Sequence, residues 1–496
     1  MNSASATRGF TLPVAVRPVP WPADVEALFA SLARRRGCVW LDSAGGPARL
    51  ARWSVLAAEP AAVLVHQGDA TRLLDPGGGV RLEVGRNPLA ALRQALDLVR
   101  LEAGPEAAAL PFGPGFYGYL AYDLAPYIEP KAGLAPVADV PLPDLWLGLY
   151  EAVLVLDALE RRAWIVGAPG RAHEVLGRAL EAAAEGPAGE PPPARQATCG
   201  EVRCNIGREA YLEKVARARE YIAAGDIFQV NLSRRFTVAR EPSARGQAVQ
   251  PADLYLRLRR SNPAPYAAYV GLGAGRAVLA SSPELFLDLG GGRVVTRPIK
   301  GTRPRRAAEP DDSPYNRRMR EALLASEKDR AELVMIVDLE RNDLGRVDSY
   351  GTVRVAEPRA LEAYEAVYHT VATVEGRLHT GRDVVDLARA AFPGGSVTGA
   401  PKVRAMQIIA ELEPTRRSVY TGAIGYLAPP TATEPAGRCA LAVAIRTILA
   451  AGPHVHLQVG GGIVADSEPQ AEFDETADKA RALLAALGLA AKTLRI

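Results

Sequence analysis

Arg297-Pro298-Ile299-Lys300-Gly301-Thr302-Arg303-Pro304-Arg305 sets one amine among three guanidinium groups, a composition suited to an anionic ligand. Pro298 and Pro304 fix φ and remove two backbone donors, while Gly301 opens conformations closed to other residues. The run is therefore expected to be a rigid, irregular loop that aims Lys300. A solvated basic turn has the same composition. Two carboxylate pairs stand apart from it, Asp329 with Glu332 and Glu472 with Glu475, each three residues apart and so on one face of a predicted helix. Drawn together, two such pairs suit a hard cation, and Mg²⁺ fits because it takes one or two protein carboxylates and leaves its other positions to water and an anionic substrate. Acid pairs on helices are also commonly just solvated. Glu284, behind a proline in Ser281-Ser282-Pro283-Glu284, reads as a turn residue or a positioned acid. Arg446, ending the apolar run Leu441 to Ile445, calls for an anionic partner.

The elements that must position these groups follow from periodicity. Tyr211, Leu212, Val215, Ala218, Tyr221 and Ile222 recur at helical spacing up to Gly225, a helix-ending glycine. The period then becomes two: Phe228, Val230 and Leu232 take one face of a predicted strand, and Gln229, Asn231 and Ser233 line the other, which suits a polar cavity. Predicted helices over Arg318 to Val337 and Gln470 to Leu487 carry the acid pairs, the second entered from the strand Val455 to Val459 through a turn at Gly460-Gly461-Gly462. Phe392 to Lys402, containing Ser396, is a glycine and hydroxyl loop whose following helix start can bind a carboxylate. His369 sits in a patterned segment where a packed histidine is the ordinary reading.

With 496 residues and a near-balanced net charge of +3, the chain can bury a large core and carries no basic stripe, so nucleic-acid binding is not indicated. No apolar run approaches a membrane span and Met1 to Phe10 lacks a signal pattern, so the protein is expected to be cytoplasmic. Cys38, Cys199, Cys204 and Cys439 have no metal-ligand spacing and read as free thiols. Residues 1–180 form a mixed N-terminal region. The Pro- and Gly-rich stretch inside 181–204 reads as a linker, and 205–496 as the main unit.

From Tyr211 to Leu487 seven motifs occur in an order that resembles the chorismate-binding enzymes. They are Gly225 to Ser233, Ser282-Pro283-Glu284, Pro298 to Arg305, Ala331-Glu332 through Asp343, Gly394 to Lys402, Ala444 to Thr447, and Gly461 to Ser467. The family includes the first components of anthranilate synthase and aminodeoxychorismate synthase, and the isochorismate and salicylate synthases. The resemblance implies an α+β fold: a large antiparallel β-sandwich flanked by helices, with the N-terminal region in the same body. It implies Mg²⁺ at Glu332 and Glu475, with Asp329 and Glu472 as further partners. It implies chorismate bound by Gln229, Thr302, Ser396, Arg446, Gly461 and Gly462, and a catalytic set of Lys300, Glu284 and His369. Lysine stands at the Gln229 position in the water-using members, so ammonia is the expected nucleophile here. Lys300 resembles the aminodeoxychorismate synthases, where anthranilate synthases typically carry alanine. That implies a Lys300 covalent intermediate and the folate branch, with anthranilate synthase component I as the alternative and a non-catalytic sensor as a remoter one. No Gly-x-Cys-x-Gly motif surrounds any cysteine, so ammonia is expected from a separate glutaminase subunit in a heterodimer, with a downstream lyase acting on the product. Ser43, Asn262, Pro263 and Tyr266 match a tryptophan pocket, which Asp42 and Ala264 alter from the family pattern.

Overall fold

The computed structural model describes residues 9–185, 199–240 and 249–489. Its framework is two large β-sheets, antiparallel but for one parallel pair, Phe10–Val19 with Val99–Ala103, and flanked by helices. The sheets stack because their strands alternate. Tyr117, Tyr119, Val153, Val155 and Tyr426 point inward from one or other sheet and share a single core with Val39, Val55, Val270, Val278 and Leu449. Both sheets are built from both ends of the chain. Val39–Asp42 lies against Tyr266–Gly273, pairing Asp42 with Ala267. Gly115–Leu120 lies against Ala423–Ala428, pairing Gly118 with Gly425. No helix of the described residues is long and apolar enough to cross a membrane.

Several elements differ from expectation. Arg297 to Arg305 is not an irregular loop: Arg293–Arg297 and Ile299–Pro304 are strands on either side of Pro298, both paired with Val367–Arg377. The predicted helix over Arg318 to Val337 is two, Pro314–Leu324 and Glu327–Gly345, because Ser326 turns the chain and caps the second by accepting from the Asp329 N–H at 3.2 Å. Gly460 to Gly462 is no turn but continues the strand His454–Ile463. Phe228, expected on the same strand face as Val230 and Leu232, is 70 % exposed and precedes the strand, which begins at Gln229. Of the linker expected over 181–204, Glu181 to Glu185 ends the helix Arg171–Glu185 and Cys199–Cys204 is a strand; residues 186–198 lie outside the described residues.

Candidate active site

Lys300 faces Thr370 across the ladder and Thr302 faces His369, with the register shifting between them at Gly301, whose φ is +83°. This bulge re-aims one side chain from a rigid strand. It also lets the strand press on the helices, since a Cβ at Gly301 would lie 2.8 Å from Leu323 Cδ1 and 3.0 Å from Asp329 Cβ. The three arginines do not form the expected cationic ring. Arg297 bonds Glu362 at 2.5 Å, Arg303 bonds Asp329 at 3.1 Å and Arg305 bonds Asp311 at 2.9 Å. Among the described residues Lys300 has no ion pair, and the groups whose charge it feels are the carboxylates of Glu284, Glu332 and Glu475.

Opposite stands the strand His454–Ile463, paired with Gln229–Arg240 so that Gly462 meets Asn231 and Gly461 meets Leu232. Its glycines leave bare backbone where side chains crowd. A Cβ at Gly462 would lie 2.0 Å from Gln229 Nε2 and 3.4 Å from Lys300 Nζ, and one at Gly461 would lie 3.0 Å from Glu472 Oε2 and 3.9 Å from Glu475 Oε1. Lysine, amide and two carboxylates therefore border one glycine surface. The polar face expected on Gln229, Asn231 and Ser233 is buried, and Gln229 Oε1 and Asn231 Oδ1 have no hydrogen-bond partner among the described residues. Buried acceptors left open in this way point to a ligand or water.

Glu472 and Glu475 border this surface, Glu332 feels the charges of Lys300 and Glu475, and Asp329 is paired with Arg303. Glu332 is pushed above the usual carboxylate range by burial, then by the charges of Asp329 and Glu475, with Lys300 and Lys328 opposing. Glu472, which accepts from Ser467 Oγ at 2.6 Å, is pushed up by burial and by Glu475. Glu475 is instead held low, chiefly by Lys479, whose ammonium lies 2.6 Å away and also donates to the Gly460 carbonyl. Among the described residues no three Asp, Glu, His or Cys side chains lie close enough to hold a metal by themselves. Carboxylates that crowd one another around an open glycine surface are nevertheless the donor chemistry of a hard cation completed by water and an anionic substrate. Lys479 and Lys328 were not singled out from the sequence, although Lys479, four residues after Glu475 on one helix, was there to be read.

The other end of the site holds an acid, a neutral imidazole and a bare arginine. Glu284 is 5 % exposed and accepts from Ser396 Oγ at 2.5 Å; burial raises it to about 7. His369 Nδ1 lies 3.0 Å from Thr302 Oγ1, so Thr302 orients the ring. Burial, then the charge of Arg446, lowers His369 to about 4, and the imidazole is neutral at physiological pH. Arg446 has φ +51° and, among the described residues, no ion pair or side-chain hydrogen bond; Tyr420 and Glu475 are the groups that favour its charge. A half-buried guanidinium without an anion is a receptor for one.

Ser43, Asn262, Pro263 and Tyr266 lie beside the strand Val39–Asp42, next to Ser281, whose N–H donates to the Arg446 carbonyl. Ser43 Oγ donates to the main-chain carbonyls of Trp53 at 2.6 Å and Pro265 at 3.3 Å, Gly45 packs on Pro263, and the Asn262 carbonyl accepts from Ser281 Oγ. Asp42 is engaged by Arg259 at 2.7 Å and Tyr255 at 3.2 Å.

Comparison with known proteins bears on the family. The family described as chorismate binding enzyme matches residues 36–485. The chain is 45 % identical over 415 residues to anthranilate synthase component 1 of Thermus thermophilus, covering 83 % of this chain and 85 % of that one. It is 39 % identical over 467 residues to aminodeoxychorismate synthase component 1 of Klebsiella aerogenes, covering 94 % and 97 %. Among solved structures, anthranilate synthase component I from Streptococcus pneumoniae superposes with a TM-score of 0.72 at 30 % identity, covering 87 % and 92 %.

Proposed function

The chain belongs to the chorismate-binding enzymes, and on that premise we propose that it is the first component of an aminodeoxychorismate synthase, converting chorismate and ammonia to 4-amino-4-deoxychorismate. The observation that carries this reading is Lys300: an amine on a bulged strand, free of ion pairs, against the bare backbone of Gly462 and beside Gln229 Nε2. Glu332 and Glu475, with Asp329 and Glu472 beside them, would hold Mg²⁺, which would neutralise a substrate carboxylate there. Arg446 takes the second carboxylate, with backbone donors at Gly461, while Gln229 and Ser396 border the ring.

The chain's own residues then carry two displacements. Lys300 must first shed its proton, and the carboxylates facing it can take one. The free amine forms a bond to ring C2, the two conjugated ring double bonds shift towards C4, and the C4–O bond breaks as Glu284 delivers its proton to the departing hydroxyl, releasing water. Ammonia next bonds to C4, both double bonds shift back, and the C2–N bond breaks as a proton from the incoming ammonia passes to the departing nitrogen, which returns the Lys300 amine. Glu284 suits the acid's role because burial keeps its carboxyl protonated near neutrality. His369, neutral and fixed by Thr302, packs beside the ring. The ammonia is supplied by a separate glutaminase subunit, and a lyase acts on the product in turn.

The second reading is anthranilate synthase component I, favoured by the 45 % identity to the Thermus thermophilus protein. Chorismate, Mg²⁺ and an ammonium salt, followed by mass spectrometry of the product with and without an aminodeoxychorismate lyase, separate the two. The expected product is aminodeoxychorismate; anthranilate formed without the lyase overturns the proposal. Lys300→Ala that aminates chorismate at the unmutated rate removes the covalent step alone. Binding of chorismate without any turnover would mark a sensor.

A further inference from the structure

A cleft of about 200 Å³ lies away from the active site, walled by Gln67, Asp123, Asp139, Asp144, Arg416 and Ser418. Asp139 is engaged, bonding Arg235 at 2.6 Å. The other charged groups are only partly used. Asp123 is 5 % exposed; its Oδ1 accepts the Ser418 N–H at 3.1 Å, and Oδ2 makes no hydrogen bond among the described residues. Among the described residues Asp144 makes no side-chain hydrogen bond, and Arg416 donates Nε to the Ala135 carbonyl at 3.3 Å without forming an ion pair. Ser418 is 5 % exposed, held in the left-handed region at φ +52°, and its Oγ has no partner among the described residues. A buried hydroxyl without a partner, in a strained backbone conformation on the wall of a polar cleft, calls for a ligand.

The walls identify its class. Once ionised, the two carboxylates without an ion pair among the described residues outweigh the one guanidinium by a single negative charge, which disfavours an anion. Among the described residues no three carboxylate or histidine side chains converge tightly enough for a divalent ion. What remains is a single positive charge in a set of oxygen donors. We propose that this cleft is a binding site for a small monovalent cation, held by the carboxylates of Asp123 and Asp144 with the hydroxyl of Ser418. Arg416 then sets the valence, cancelling one of the two negative charges.

The titration of the walls agrees. Burial raises Asp123 to about 7, with the charge of Asp144 adding to it, and raises Asp144 to about 6. Arg416 and, for Asp123, Arg235 oppose this, and the neighbouring phenols of Tyr119 and Tyr127 feel Asp144 in turn. The cation binds the ionised carboxylates, so affinity rises as pH rises through 6 to 7.

Thermal melts test this without turnover and so independently of the proposed function. The full chain is melted in potassium, sodium, ammonium and tetramethylammonium chlorides at equal ionic strength, with glycine as a further arm. One or more of the three small ions should raise Tm by about 2 °C or more over tetramethylammonium, and the rise should grow from pH 5 to pH 8. Asp144→Asn and Ser418→Ala should each lose the ion-specific rise over their own tetramethylammonium Tm, which in Asp144→Asn is expected to lie higher above pH 6 because a carboxylate that burial disfavours is gone. Equal melting in all four chlorides overturns the proposal, as does a rise that survives in Asp144→Asn or one produced by glycine alone. Should either variant fail to fold, thallous-ion NMR on the unmutated chain decides: a resonance broadened by the protein and restored by potassium supports the site, and an unbroadened one rejects it.

Discussion

The strand Gln229–Arg240 borders two regions that use the same residue types in opposite ways. Behind the active site, Arg417 and Glu413 are both almost wholly buried and fully engaged. Arg417 bonds Glu413 through Nε at 2.9 Å and Nη2 at 2.7 Å, and donates to the carbonyls of Asn231 and Val397, while Glu413 also accepts from Ser233 N and Oγ. Two and four residues earlier on the same strand face, Asn231 Oδ1 and Gln229 Oε1 have no partner among the described residues, nor do Lys300 and Arg446 have a counter-ion among them. Burial alone does not separate scaffold from site. Completion of hydrogen bonds does: the closed knot ties strand, loop and helix together, and the open groups await a ligand.

Substitutions on the two sides should therefore act on different observables. The largest effect is expected at the knot, where Glu413→Ala leaves a buried guanidinium uncompensated and should cost about 3–5 kcal/mol of stability, read by chemical denaturation. Glu284→Gln should leave the fold intact and lower turnover by about 10²–10⁴-fold. Its stability effect runs the other way. The folded protein holds the Glu284 proton up to about 7 against an ordinary value of 4.5, so wild-type stability falls as pH rises between those values. The glutamine variant escapes this loss and should be more stable by up to roughly 3 kcal/mol above pH 7, with no difference below pH 4.5. For the unmutated enzyme the same group predicts activity that declines as pH rises through about 7.

Arg446→Ala should lower kcat/KM by about 10–100-fold with little change in Tm, and should move the His369 titration up from about 4, observable by NMR, because a repelling charge is gone. Smallest of all, Arg330→Ala breaks an exposed pair with Glu327 on the outer side of the acidic helix. It should leave turnover unchanged and Tm within about 1 °C. A large loss of stability in Arg446→Ala, or none in Glu413→Ala, would break the contrast.

What could be read from the chain follows the same division. Local periodicity places the helix from Arg208, the strand from Gln229 and the helix from Pro469, because those patterns depend on near neighbours. The order of motifs carries the sandwich fold and the candidate residues. Partner choice was hidden: Arg297 finds Glu362 and Arg303 finds Asp329 only once distant segments pack, so a run that looks like a cation cluster becomes three closed pairs around one open lysine. Gly460 to Gly462 read as a turn because glycine permits one, whereas here glycine serves close approach by Gln229, Lys300 and Glu472. The break at Ser326 was missed because the apolar pattern runs through it and the cap is a single hydroxyl.

The pairing of Asp42 with Ala267 and of Gly118 with Gly425 has a consequence for biosynthesis. A ribosome adding about 5–20 residues per second delivers the first strands long before their partners exist, so those edges wait on the order of ten seconds or more. Nascent chains of this topology stand to gain from a holding chaperone more than from early local folding, and high contact order should make refolding slow. Expression of either half alone should yield aggregates through unpaired edges, and co-expressed halves should recover soluble protein only when both are made together.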